Sequence, residues 1–174
     1  MRRVSLNARL AQDAETTGEL YVVLFEIAHP ELERPIRLST DNTERLSDDP
    51  LYYGTRSTWR GADPIADPYL WIIASTVLPS DLEDAPATAT VILENLDRRM
   101  VDVVRSFTSP ATVALAVVLA SSPDVVEVEF TDLQIRSADI DSGQIVLAIS
   151  REEIEQEHYP AGRMTRERFP GLHQ

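Results

Sequence analysis

Apolar runs of strand length recur along this chain, separated by short stretches rich in proline, aspartate, serine and threonine. Residues 19–28 (ELYVVLFEIA) concentrate valine, tyrosine and phenylalanine and predict a buried strand. His29-Pro30 opens a turn, and residues 34–40 predict the returning strand. Before these, residues 4–14 space Leu6, Leu10 and Ala14 on one face, which predicts a short helix, ended by Gly18. Residues 41–67 are polar and loop-like, except that LYYGTRSTWRG (51–61) predicts a short hairpin. A strand over 69–78 is closed by Pro79, and a weaker alternation marks another at 87–94. Asn95 or Asp97 then caps a helix over 98–106, with Met100, Val103, Val104 and Phe107 on one face. Three or four strands follow over 112–119, 125–130, 133–138 and 144–149, the last two joined by a turn at Ser142-Gly143. Residues 151–157 predict a helical turn.

Many short strands with prolines at their ends and one internal helix predict a mainly β fold. The expected architecture is an antiparallel β-barrel or sandwich with one packed helix, a short N-terminal helix and an extended C-terminal arm. A doubly wound α/β fold is excluded, because only 87–119 has the strand–helix–strand order that it needs. The division along the chain is 1–18 for the helical segment, 19–157 for the β-rich domain and 158–174 for the arm. The arm, HYPAGRMTRERFPGLHQ, is broken by Pro160, Gly162, Pro170 and Gly171, yet carries Tyr159, Phe169 and Leu172 as apolar anchors. Arg163, Arg166 and Arg168 lie among them. Such a segment is expected to lie extended on a surface, either of its own domain or of a neighbouring subunit.

Length and composition suit one domain able to bury a core. The longest apolar run, 112–120, is only strand-sized, so no membrane segment is expected, and residues 1–17 lack the apolar region of a signal peptide. With no cysteine, disulfides and thiolate metal sites are ruled out. Charge alters the picture more. The formal net charge is −13 and all sixteen basic residues are arginine. The arm holds three Arg against one Glu, so residues 1–157 carry −15. An acidic body with a basic arm suits docking of arm to neighbour and disfavours a sequence-specific nucleic-acid binder, which would present a basic stripe.

Candidate catalytic chemistry is sparse. His29, His158 and His173 match no zinc-hydrolase spacing, and no G-x-S-x-G or phosphate-binding glycine loop occurs. The acidic clusters at 81–84 and 152–155 lack a calcium-loop pattern. No enzyme, cofactor or metal is therefore expected. Interface chemistry is better represented. Tyr52, Tyr53 and Trp59, with Arg56 and Arg60, have the composition of interface anchors. Three readings of this loop stay open: a subunit contact, ring stacking on a carbohydrate, and folding back onto the core. Arg98 and Arg99 at the start of the predicted helix are mildly unfavourable there, which points to an ion-pair partner for at least one of them.

Four stretches carry a family resemblance, in order along the chain. They are FEIAHPELERPIRLSTDN (25–42), ATATVILENLDRRMVDVVRSF (87–107), TVALAVVLASSPDVVEVEFTDLQIRSADID (112–141) and the ending RMTRERFPGL (163–172). Together they resemble a family of short siphophage and prophage tail proteins encoded near the tape-measure and tail-tip genes, a distal or minor tail protein. The resemblance spans most of residues 20–172. It implies a structural virion component, assembled in the host cytoplasm and placed at the distal end of a long non-contractile tail. Its implied partners are copies of itself in a six-fold ring, with a three-fold hub as the alternative, and the tail-tube, tape-measure and tail-tip hub proteins. A receptor- or carbohydrate-binding accessory domain is the alternative function, resting on the aromatic loop.

Overall fold

The computed structural model describes residues 4–77, 88–94, 109–141 and 143–151. Within them, α1 (Leu6–Asp13) precedes β1 (Tyr21–Ala28), β2 (Ile36–Ser39), β3 (Glu44–Asp48), β4 (Leu51–Thr55), β5 (Tyr69–Trp71), β6 (Ile73–Val77), β7 (Thr88–Glu94), β8 (Thr112–Leu119), β9 (Ser122–Ile140) and β10 (Gln144–Arg151). All ten strands belong to one sheet in the order β3-β4-β5-β2-β1-β8-β9-β10-β7-β6. The sheet curls into a half-barrel, a mainly β fold with one helix. Every pairing is antiparallel except that of β2 with β5, where Leu38 lies beside Leu70 and Ser39 beside Trp71. The sheet is therefore mixed, where an antiparallel one was expected.

The stretch 69–77, expected as one strand, breaks at Ile72. A single residue thus separates β5, third in the sheet, from β6, the tenth. Two peptide units span at most about 7 Å, so the covalent chain itself holds the two flanks of the curl together. Ile72 serves both sides of this joint. Its N–H donates to Ser39 O at 2.9 Å, while its side chain is buried in the interior core.

That interior gathers Phe25 and Ile27 from β1, Leu38, Ile72, Val91 and Leu93, Val113 and Leu115 from β8, Phe130 and Leu133 from β9, and Ile145, Leu147 and Ile149 from β10. Strand alternation sends the even-numbered residues of β1 and β8 to the outside. There Val22, Leu24, Ala114, Ala116 and Val118 are buried as well, under Trp59, Ala62 and Tyr69. Burial on both faces explains why these two strands read as unbroken apolar runs rather than as an alternation. Something has to cover the outer face, and the chain between β4 and β5 does so.

Of the three or four strands expected after residue 112 there are three, because 125–130 and 133–138 belong to one long strand, β9, bent at Asp132. Its first part pairs with β8 and its second with β10. Val113 pairs with Leu133 and Leu115 with Phe130, so Thr131 and Asp132 together face Ala114. Asp132 takes φ +59° at this bulge, a conformation that aspartate tolerates better than most residues. The hairpin expected within 51–61 lies instead at 44–55, where β3 and β4 pair around Asp49-Pro50. β3 lies where a loop is expected, its alternation interrupted by a bulge near Leu46.

The N-terminal helix forms as expected but ends at Asp13, ahead of Gly18, and turns a different face inward. Leu6 and Leu10 are 71% and 61% exposed, whereas Ala8 is fully buried. Polar anchoring decides its orientation. The Ser5 side chain caps the helix by accepting from Ala8 N–H at 3.1 Å, and Ser5 N–H donates to Glu127 Oε2 at 2.8 Å. Of the helical turn expected at 151–157, Arg151 ends β10 instead and the rest lies outside the described residues, as do the helix expected at 98–106 and the arm at 158–174.

Candidate functional site

The cover on the outer face is a strap, residues 56–68, that leaves β4 and returns as β5. Its first anchor is Asp124 of β9, whose Oδ1 accepts from Thr58 N–H at 2.7 Å, Thr58 Oγ1 at 2.8 Å and Ser57 Oγ at 3.3 Å. These bonds, the Thr58 backbone N–H foremost, hold the Asp124 carboxyl below its ordinary range. Ser57 Oγ also donates to Pro123 O at 2.8 Å. A 3-10 turn, Trp59–Gly61, follows, with Arg60 at φ +52° and Gly61 at φ +72°. Beyond this reversal, the Trp59 side chain belongs to the buried outer-face cluster that also holds Ala114, Ala116 and Tyr69. Trp59 Nε1 donates to Glu129 Oε1 at 3.0 Å, and its ring lies 5.8 Å from that of Tyr69. Tyr69 OH donates back to Trp59 O at 2.8 Å. Farther on, Asp63 Oδ1 accepts from the N–H groups of Ile65 and Ala66, which lowers its pKa.

Beside Tyr69 sits a buried ionic cluster. Glu26 of β1 receives Arg37 Nε on Oε2 at 3.1 Å and Arg60 Nε on Oε1 at 2.6 Å. Arg37 Nη1 pairs in turn with Asp67 at the end of the strap. The side chains of Glu26 and Arg37 are only 6% and 8% exposed. Burial works against the Arg37 charge, but Asp67 and then Glu26 outweigh it and hold its pKa above the ordinary value. The Tyr69 phenol is pushed well upward, by burial first and by the Glu26 charge second. Two arginines and two carboxylates balance, and each carboxylate oxygen named here is engaged. Chemically the cluster is a clasp that fastens strap to sheet, two arginines against two carboxylates.

A second polar group resembles a hydrolytic triad on first inspection. His29 Nε2 lies 2.8 Å from Ser109 Oγ, and its Nδ1 lies 4.0 Å from Glu31 Oε2. The Glu31 backbone N–H, however, donates to Nδ1 at 3.2 Å. That bond requires Nδ1 to be the unprotonated nitrogen, so Nε2 carries the hydrogen and donates it to Ser109. A general base needs the opposite tautomer. In this arrangement the group closes the His29-Pro30 turn.

The structure distributes the expected interface residues unevenly. Trp59 folds back onto the core and is only 8% exposed, which settles for this residue the choice left open above. Tyr52 is 48% exposed and Tyr53 is half-buried. Arg56 pairs with Glu44 of β3, and Arg60 belongs to the clasp. Arg98, Arg99, Tyr159, Arg163, Arg166, Arg168, Phe169 and Leu172 lie outside the described residues. Among those described, no group of three or more metal-ligating side chains converges, and no helix is long and apolar enough to cross a membrane. The clasp was missed in the sequence, though a signal for it exists. Glu26 is the one charge inside the apolar run of β1, and a charge in a buried strand calls for a partner. No family model, curated protein or solved structure matches the chain.

Proposed function

We propose that this chain is a structural component of the distal end of a long, non-contractile phage tail, built into a ring by contacts between subunits. The observation that carries this reading is the ordered set of four sequence stretches, ending in RMTRERFPGL, that resemble the tail-protein family. The architecture is compatible with it. Trp59 and the clasp rivet the strap to the sheet, which makes a stiff wall, while the β3–β4 hairpin at one end of the sheet order carries the exposed Tyr52. A role of this kind needs rigid surfaces rather than a reactive centre, and the polar groups described above are engaged in fastening the fold.

Mass spectrometry of purified virions, with antibody labelling of the chain in electron micrographs, tests the reading. The expected result is the chain in the particle and label at the distal end of the tail. Its absence from particles that carry their full set of tail proteins would refute the proposal.

A further inference from the structure

Beyond the strap, one part of the sheet has an unusual surface. Leu51 and Tyr52 of β4, Leu70 and Trp71 of β5 and Ile73 of β6 are 38–53% exposed. β4 and β5 are hydrogen-bonded neighbours, with Gly54 opposite Leu70 and Thr55 opposite Tyr69, and Ile73 follows Trp71 across the Ile72 joint. Alternation places Tyr52 and Leu70 on the concave side, where Leu38 beside Leu70 enters the core, and Leu51, Trp71 and Ile73 on the convex side. The convex side of this region thus offers Leu51, Trp71 and Ile73 to a neighbour.

The charge pattern identifies that neighbour. Residues 51–55 and 69–77 contain no Asp, Glu or Arg, in a chain where 26% of residues are charged and the net charge is −13. Two copies of so acidic a body repel one another wherever carboxylates face carboxylates, so an uncharged surface is one on which two bodies can meet. On the adjoining hairpin, Glu44 and Asp48 are each already paired, with Arg56 and Arg45. Glu94, opposite Ile73, stands at the rim. A basic partner would instead seek out acids, and a sugar would need carboxylate or amide groups beside the rings, which these segments do not supply. We propose that the uncharged β4–β5–β6 surface is where one copy of this chain binds another, with Trp71 as a central anchor. This deepens the ring reading by naming the contact, and the test separates the two.

Sedimentation velocity and native mass measurement on the full chain, over a range of concentrations, read the outcome. The wild type is expected to associate with rising concentration. Trp71→Glu and, independently, Leu51→Glu should each weaken association at least tenfold, with circular dichroism unchanged. Leu6→Glu/Leu10→Glu on the exposed face of α1 should leave it intact. A monomeric wild type, or association that survives both surface variants, would overturn the proposal. So would a wild type that remains monomeric and binds a glycan array in a Trp71-dependent way. Copy number is a separate result: a dimer formed through this surface supports the contact and counts against the ring, whereas a closed ring supports both.

Discussion

Replacing Glu26 by glutamine tests whether the ionic cluster fastens the strap. The substitution keeps the shape and one acceptor oxygen but removes the negative charge that Arg37 and Arg60 share. Breaking a buried ion pair by neutralising one partner costs about 3–5 kcal/mol, because the other charge stays buried without compensation. Two features bring the expected value to the lower end. Arg37 keeps Asp67, and the Arg60 side chain, 40% exposed, is free to turn towards water. About 3 kcal/mol is therefore expected. With a urea m value of about 1–3 kcal/mol/M, the midpoint falls by about 1–3 M. The melting temperature of a chain this long drops by about 6–12 °C. Equilibrium urea unfolding with fluorescence detection suits the test, because Trp59 sits on the strap itself. Adding Arg37→Met supplies the double-mutant cycle. Once Glu26 is neutral, removing the Arg37 charge should cost less than it does in the wild type, by about 1–3 kcal/mol. If Glu26→Gln unfolds within about 0.5 kcal/mol of the wild type, as a surface substitution would, the clasp contributes nothing and the argument fails.

Three further outcomes follow from the same geometry. Gly54→Ala puts a Cβ 2.0 Å from Tyr69 O, at a backbone position of φ +155°, so β4 should part from β5; hydrogen exchange across β3 and β4 should rise while β8 stays protected. Trp59→Ala empties the pocket over Ala114 and Ala116 and should cost about 3–5 kcal/mol, whereas Trp59→Phe should lose about 1 kcal/mol with the bond to Glu129, both read by urea unfolding. The pKa of Asp124 is lowered in the folded chain, so its stabilising contribution is complete above the ordinary carboxylate pKa of about 3.9 and is lost as pH falls through the lower folded value. An acid titration of stability should therefore be flatter below pH about 4 in Asp124→Asn than in the wild type, and an identical slope would contradict the assignment.

Much of the strand inventory was legible because burial leaves a local mark. β8 coincides with the apolar run at 112–119, and the His29-Pro30 turn separates β1 from β2 where expected. The errors share one origin: each depends on a partner distant in sequence. Nothing local in 69–78 shows that Ile72 divides the strand, since the break exists only because Ser39 takes its N–H and the interior takes its side chain. Leu6 and Leu10 make a persuasive apolar face, but Glu127, over a hundred residues away, captures Ser5 and turns Ala8 inward. β3 resembles a loop in sequence because a bulged strand loses the alternation by which strands are recognised.

The candidate sites divide in the same way. Composition alone marked 51–61 as interface-like, but a sequence does not say which of its rings turn inward. Trp59 joins the buried outer-face cluster with Ala114 and Ala116, which sheet pairing brings beside β1, whereas Tyr52 stays exposed on β4. Glu26, Arg37, Arg60 and Asp67 lie up to 41 residues apart and meet only because β1 and β2 pair and the strap crosses their outer face. The sequence by itself determined the mainly β character, the buried strand β1 and the acidity of the body, since each follows from residue type and short-range spacing. Only the tertiary structure decided the order of the strands, the joint at Ile72, the ionic clasp and the division of the aromatics between core and surface. Those rest on which distant segments lie side by side, and a pattern of apolar positions records that a face is buried without recording what buries it.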